Sequence, residues 1–215
     1  MILITSMFLV SIGYTMVIPF LPLYLLDIGV PEESIAIWTG VVFSSCFLVA
    51  GIMGPIWGKM ADTRGKKQMA IRAAVLLGFS YLFCGLSQNA WQMTAARAFM
   101  GFSNGFVAAS MAIISVSADP KNLGATLGMG QTALIVGGIA GPLLGGTLAH
   151  LIGIRNTFFI SAAFLWFVAV LVILYVREPK MGTVKKVESK DTTIGEDFSY
   201  AFHNGHLREI LFIAF

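Results

Sequence analysis

The sequence predicts an all-α membrane protein, a bundle of six membrane-spanning helices, and three observations lead to that fold class. Hydrophobic residues make up 57% of the 215 residues, and charged residues only 12%. A soluble domain of this size cannot bury so much apolar surface. The apolar residues form six stretches, each long enough to cross a bilayer, which takes about 20 residues. The basic residues gather in the connections between these stretches, where membrane proteins keep their charge.

The six predicted spans cover most of the chain, at residues 1–26, 35–58, 68–87, 91–118, 125–150 and 157–176. Residues 1–176 are therefore expected to form one six-span unit. Residues 177–206 are polar and charged, and they predict a linker outside the membrane. Residues 207–215 become apolar again, and we expect them to be the truncated start of a seventh span.

The distribution of charge predicts how the spans are oriented. Most of the 14 Lys and Arg residues fall at 58–67 and in the 177–206 linker, whereas Arg155 lies on the opposite side. Basic residues favour the cytoplasmic face, so the N-terminus and the linker are expected there. Met1–Leu26 has no basic start and is too apolar for too long to be a cleaved signal, so it is expected to be the first span. Six spans with both ends inside also suit a three-plus-three inverted repeat.

The connection at 58–67, GKMADTRGKK, sets a glycine and an aspartate among basic residues. We expect Gly58 to end the second span and, having no side chain, to let another helix approach closely. Asp62 is placed to face the positive N-terminus of a neighbouring helix. A connection that only sets the orientation of the spans is the plainer alternative. The residues expected to act together at this inner end are Gly58, Asp62, Arg64, Gly65, Lys66 and, as the ion-pair partner of Lys66, Asp119.

Glycine recurs every four residues in the outer half of the fifth predicted span, at Gly137, Gly141 and Gly145. This spacing gives a helix a smooth stripe against which another helix can pack tightly. Pro142 lacks a backbone N–H and permits a bend. Glycine stripes are common in membrane helices, but the Gly-Pro pair and the second glycine of the Gly145–Gly146 pair make this one more specific.

Arg97 is the one charged residue that the sequence places well inside a predicted span. Such residues are costly to bury and usually face a cavity or a partner. No Asp or Glu lies deep in any of the six spans, although a proton carrier usually needs a carboxylate or a histidine there. Asp27, at the outer end of the first span, is the nearest candidate for coupling, with a surface role as the alternative. A structural Arg97 that binds backbone carbonyls also stays open.

These motifs resemble those of the major facilitator superfamily. The spacing G-x-M-A-D-x-x-G-K-K is similar to the family's loop signature, although Thr63 stands where a basic residue is usual. Residues 137–146 match in full the pattern G-x-x-x-G-P-x-x-G-G of its drug–proton antiporters. The first span is similar to that of twelve-span drug exporters, with Ile12-Gly13 followed by Pro19-Phe20-Leu21-Pro22.

The fourth span adds Arg97-x-x-x-Gly101, which is similar to a family element whose arginine is implicated in proton exchange; here Met100 stands where a glutamine is typical. The resemblance implies a six-span N-terminal transporter half in the cell membrane, with an inner gate at 58–67. It implies proton-coupled efflux of amphiphilic drugs by alternating access. The expected partners are the lipid bilayer, small amphiphilic substrates, protons and a C-terminal half. The residues implied to line the substrate pocket, each of which packing between helices would explain equally well, are Tyr14, Thr15, Met100, Asn104 and Gln131.

Other functions compete with this interpretation. A nutrient transporter of the same family is one alternative, which the glycine-proline stripe disfavours, and a non-transporting truncated membrane fragment is another. No nucleophile–base pair, metal cluster or phosphate loop appears, so neither an enzyme nor a cofactor is expected. Cys46 and Cys84 lie in apolar segments and are expected to be packed thiols. The net charge of +3 is modest and suits anionic lipid, so no nucleic-acid partner is expected.

Overall fold

The computed structural model describes residues 2–176, and these residues form helices joined by short connections. Six stretches are long and apolar enough to cross a membrane, as predicted. The predictions for 177–206 and 207–215 lie outside the described residues. The α-helices are α1 (Ile2–Thr15), α2 (Leu21–Asp27), α3 (Ile35–Arg64), α4 (Lys66–Leu86), α5 (Ala90–Ser103), α6 (Phe106–Ser117), α7 (Leu123–Ile152) and α8 (Ile154–Tyr175).

Two of the six spans are interrupted, which the continuous predictions at 1–26 and 91–118 did not include. The first span breaks between α1 and α2 at a 3₁₀ turn, Ile18–Phe20, whose neighbourhood holds two prolines. Proline removes a backbone donor and clashes with the preceding turn, so a break there is expected. The fourth span breaks between α5 and α6, where Gly105 has a φ of 118°, a left-handed conformation that glycine adopts readily.

The second span runs further than predicted. Helix α3 continues through the charged residues to Arg64, and α4 begins at Lys66, so only Gly65 separates them. The prediction that Gly58 ends the span and that 58–67 is a loop is therefore wrong. Charged residues mark where a helix leaves an apolar environment, but they are good helix formers and need not end it. Gly65 does end it, with a φ of 98°.

The helices pack in a pattern that confirms the predicted three-plus-three repeat. The strongest contacts join α1 to α7, α3 to α5 and α4 to α8, which pairs spans one with five, two with four and three with six. Exchanging spans one to three for spans four to six leaves this set of pairs unchanged. An inverted repeat has this symmetry, because its operation replaces spans one, two and three by spans four, five and six, and the reverse.

Local structure follows the same repeat. The first and fourth spans are both interrupted, and the second and fifth are both 30-residue helices with an internal proline, Pro55 and Pro142. Helix α7 runs unbroken through Pro142. The third and sixth spans each follow the preceding long helix after one glycine, Gly65 and Gly153, both with positive φ. The repeat is thus carried by backbone geometry, although the two halves share little sequence.

The core of the bundle is built mainly from α1, α4, α5, α6 and α8. Large buried side chains in the core include Tyr24 of α2, Tyr81 of α4, Phe106 of α6 and Phe158 of α8. Little of α3 or α7 is buried within the described residues, and many of their apolar side chains are exposed. Surfaces of this kind suit contact with lipid or with further apolar helices.

Candidate functional site

Arg97 lies in the middle of the bundle and is only 2% exposed. Its Nη1 donates to the Met100 sulfur at 3.6 Å, a weak acceptor. The guanidinium carbon is 5.7 Å from the centre of the Phe43 ring. Nε and Nη2 have no hydrogen-bond partner in the described part of the chain. The side chain is thus a buried cation whose hydrogen-bonding capacity is mostly unmet, and such groups are costly to keep.

The spacing of Arg97 and Gly101 explains why the cation is held so deep. Residues four apart lie on the same face of a helix. A Cβ added at Gly101 would lie 2.2 Å from the backbone oxygen of Cys46 and 3.0 Å from the backbone nitrogen of Ala50, so α5 touches α3 backbone to backbone. Because Arg97 lies on that contact face, one turn away, its side chain is enclosed rather than solvated. The R-x-x-x-G element therefore builds a buried charge by close packing.

Within residues 2–176, no carboxylate compensates Arg97 from inside a span. Between residues 2 and 176, every Asp and Glu lies at a helix end or in a connection. Asp27 is the last residue of α2 and is exposed, so nothing in the structure supports its expected part in coupling, which stays a prediction. Arg97 instead interacts electrostatically with the side chains of two tyrosines and two cysteines, Tyr14, Tyr81, Cys46 and Cys84. Both thiols are free, as expected.

The structure gives each of the five expected pocket residues its own contacts. Met100 is buried beside Arg97, and the backbone oxygen of Tyr14 accepts a hydrogen bond from the Tyr81 hydroxyl. The Thr15 hydroxyl donates to the Ser11 oxygen at 2.8 Å and lies against α7. Asn104 caps the end of α5, and Gln131 is exposed on α7. Their shared role in substrate binding stays a prediction.

The glycine stripe has a definite partner, which is the first span. A Cβ added at Gly137 would lie 2.6 Å from the Phe8 oxygen, and one at Gly145 would lie 1.8 Å from the Met16 oxygen. Gly141 contacts the same face, between these two. The Ser11 hydroxyl donates to the Leu134 oxygen at 2.6 Å across this contact. The predicted packing role is thus supported, and the helix that covers most of the stripe is α1.

The rest of the antiporter motif is arranged around this contact. Pro142 is half-buried, and a Cβ added at Gly146 would lie 3.3 Å from the Phe20 ring, at the break in the first span. The second glycine of the Gly-Gly pair therefore gives room to the turn between α1 and α2. The motif as a whole fits α7 to both parts of the interrupted first span.

The inner end of the bundle differs from the expected arrangement. Gly58 lies within α3, and no atom of the described residues would come within 4 Å of a Cβ added there, so the expected close approach of another helix is absent. Asp62 lies two residues before the end of α3, at Arg64, and Lys66 begins α4. The Asp119 carboxylate accepts from the Lys121 backbone nitrogen at 3.0 Å. Its pairing with Lys66, and the gating role of the group, stay predictions.

Arg72 is a second cation in a membrane-spanning helix, and it is half-buried near the start of α4. Its Nη2 donates to the Asn104 oxygen at 3.0 Å, and its guanidinium carbon lies 3.5 Å from the centre of the Trp57 ring. The signal that sequence reasoning missed is the Asn104-Gly105 pair. It predicts a turn, and therefore free carbonyls that a buried cation can bind.

The chain's six apolar spans and the pairing of its helices match the six-helix N-terminal bundle of one transporter fold, and the chain belongs to the Major Facilitator Superfamily, whose sequence profile matches residues 3–215. The predicted family is thereby confirmed. The chain is 40% identical to multidrug resistance protein MdtG of Proteus mirabilis over 172 residues. This aligned region covers 80% of this chain and 43% of that protein. It is 35% identical over 207 residues to the MdtG of Dickeya zeae, covering 96% of this chain and 50% of that protein. The chain thus spans about half the length of these relatives.

Proposed function

We propose that this chain is the N-terminal half of a proton-coupled exporter of amphiphilic compounds. Its relatives are named multidrug resistance proteins, and the antiporter motif is complete in α7. The observation that carries the proposal is Arg97, a buried cation with no carboxylate inside the described spans. A charge at this depth is rarely kept for packing alone. The protein would lie in the cell membrane, with its N-terminus and the 177–206 linker in the cytoplasm.

Arg97 would couple protons to conformation by attracting the ionised form of an acid. A C-terminal half would supply that acid, because the described spans hold none. While the acid is charged, its attraction to the guanidinium holds the two halves together on one side of the membrane. When the acid takes a proton, the attraction disappears and the halves can rock to the other arrangement. The substrate site is then open to the opposite side, which is alternating access.

Two other functions remain as alternatives, and each predicts a different measurement. A nutrient transporter of the same family would move its solute inwards, so uptake of that solute would exceed dye efflux. A non-transporting membrane fragment would insert without moving either. The antiporter motif favours the exporter, because its glycines set how the first and fifth spans pack. These two helices would flank the path that opens and closes.

The test is proton-driven dye accumulation in inside-out vesicles, into which an exporter moves its substrate; the vesicles contain this chain co-expressed with the C-terminal half of a relative such as the Dickeya zeae protein. Arg97→Ala should abolish uphill, proton-driven dye movement while dye binding survives. Arg97→Lys should fail as well if the planar guanidinium is needed. Lys121→Gln is the matched control, because it removes an exposed cation outside the spans. Uphill export by Arg97→Ala with unchanged pH dependence would show that the arginine is structural.

A further inference from the structure

A cavity of about 610 Å³ lies between α3, α4 and α6, beside the break in the fourth span. Its size falls in the range of small-molecule sites, which are usually apolar clefts with a few polar groups. Most of its lining is apolar, from residues such as Ala50, Met69, Val107, Ala109 and Ala112. Its polar groups include two cations, Lys66 and Arg72, and none of the described residues that line it is acidic.

Arg72 has donors that the protein does not satisfy. Only Nη2 has an acceptor, the Asn104 oxygen, while Nε and Nη1 are enclosed and have no partner among the described residues. The Trp57 ring covers one face of the guanidinium and is itself fixed by a hydrogen bond from its Nε1 to the Phe102 oxygen at 2.8 Å. An unmet buried donor is costly, and a charged one more so. An acceptor that entered the cavity would relieve this cost.

Helix capping accounts for only part of this arrangement. A cation at the C-terminus of α5 is favourable, because the last carbonyls of a helix carry a partial negative charge. That role needs one donor, and Arg72 uses one, Nη2. It does not explain why the side chain borders an apolar cavity while two of its donors have no partner among the described residues. A cation with unmet donors at the edge of an apolar cavity is complementary to a ligand with a negative charge.

We propose that this cavity binds the acidic head of an amphiphile, with Arg72 as the residue that contacts the head and the apolar lining as the site of its body. Arg72 lies six residues, about 9 Å, from the start of α4 at Lys66. A cavity of about 610 Å³ has the size of a small-molecule site and is too small for the two acyl chains of a phospholipid, so the ligand is a soluble organic anion. The inference rests on the proposed function only in assuming that this half handles amphiphiles.

Binding is measured separately from transport, so that either proposal can fail alone. The protein in nanodiscs is titrated with decanoate, decanol and decyltrimethylammonium, which share a ten-carbon chain and differ in the charge of the head; empty nanodiscs give the partition into lipid. Decanoate should bind at least tenfold more tightly than either of the others. Because a head that reaches Arg72 has to turn the guanidinium or shift the stacked ring, decanoate should also change the fluorescence of Trp57, and Trp57→Phe should remove that change.

Three variants make the test specific to the cavity. Arg72→Gln should remove the preference for decanoate over decanol, and Arg72→Lys should keep part of it, since a lysine retains the charge but not the fork. Ala108→Phe keeps both cations but fills the space, so it should weaken decanoate and decanol alike. Lys121→Gln removes a cation away from the lining and should bind as the unmodified protein does. Equal affinity for the three amphiphiles, or a preference that persists in a folded Arg72→Gln protein, would overturn the proposal.

Discussion

Gly145 offers the sharpest test of the packing between the first and fifth spans. Adding a single methyl group, Gly145→Ala, places a Cβ 1.8 Å from the Met16 oxygen and 2.7 Å from the adjoining carbonyl carbon. Both atoms belong to the backbone, so no side-chain rotation can relieve the contact. Cβ atoms essentially never come closer than 3.0 Å to a heavy atom of a residue that is not a neighbour in the chain. Helix α7 therefore has to move away from the first span by about 1.2 Å at this position.

Gly138→Ala is the matched control on the same helix. A Cβ at Gly138 meets only the Ser11 hydroxyl, at 3.8 Å, which is ordinary contact. Alanine is favoured over glycine inside a helix by about 0.5–1 kcal/mol, so this variant should be neutral or slightly more stable. Overpacking at Gly145 should instead cost about 1–3 kcal/mol. For a chain of this size each kcal/mol corresponds to roughly 2–4 °C in the midpoint of unfolding.

The assay follows from the two buried free thiols. Cys46 and Cys84 are at most 5% exposed, so a thiol-reactive dye should report their release during thermal unfolding in detergent. Gly145→Ala should unfold about 2–12 °C below the unmodified protein. Gly138→Ala should unfold at the same temperature or slightly above. If Gly145→Ala unfolds no earlier than Gly138→Ala, the close contact between the first and fifth spans does not exist as described.

Two further predictions concern the inner end and the chain as a whole. Asp62→Asn, in the chain co-expressed with a C-terminal half, should reduce dye export without lowering the amount of protein in the membrane, because the predicted attraction between this charge and a helix N-terminus would be worth about 0.3–2 kcal/mol; normal export by a well-expressed variant would contradict a gating role. Residues 1–215 expressed alone should insert with the 177–206 linker inside, as accessibility of introduced cysteines would show, but should transport nothing. Proton-driven dye movement by the purified chain alone would refute this and indicate a homodimer.

Hydropathy predicted the number and order of the spans because a bilayer imposes a length on apolar sequence. It did not predict where helices end, because hydrogen bonding within a helix continues past the apolar stretch. Helix α3 runs to Arg64 for this reason. The breaks in the first and fourth spans are likewise local events. Prolines mark the first, but the second depends on Gly105 adopting a positive φ, which apolar composition does not reveal.

The site was predictable where a motif fixes a backbone contact. Gly101 and Gly145 are needed because a neighbouring backbone lies against them, and their spacing shows this in the sequence. The helix that packs against the stripe was not predictable, because the glycine spacing does not show which neighbouring helix that face of α7 meets. Asn104 is an instructive case: its substrate contact stays a prediction, while its backbone oxygen accepts a hydrogen bond from Arg72, which the sequence did not indicate. The position of a residue along its membrane span can be predicted from the sequence, but the residues that it contacts on other helices cannot.

The single-glycine junctions have a mechanical consequence. Gly65 ties the long helix α3 to α4, and Gly153 ties the long helix α7 to α8. One residue keeps the ends of the joined helices within a few ångströms of each other, so a displacement of one helix end has to carry the other with it. In the inverted repeat the two junctions lie at opposite faces of the membrane, and α4 and α8 pack against each other. A tilt that starts at one face of the membrane is therefore transmitted to the other face through the contact between α4 and α8.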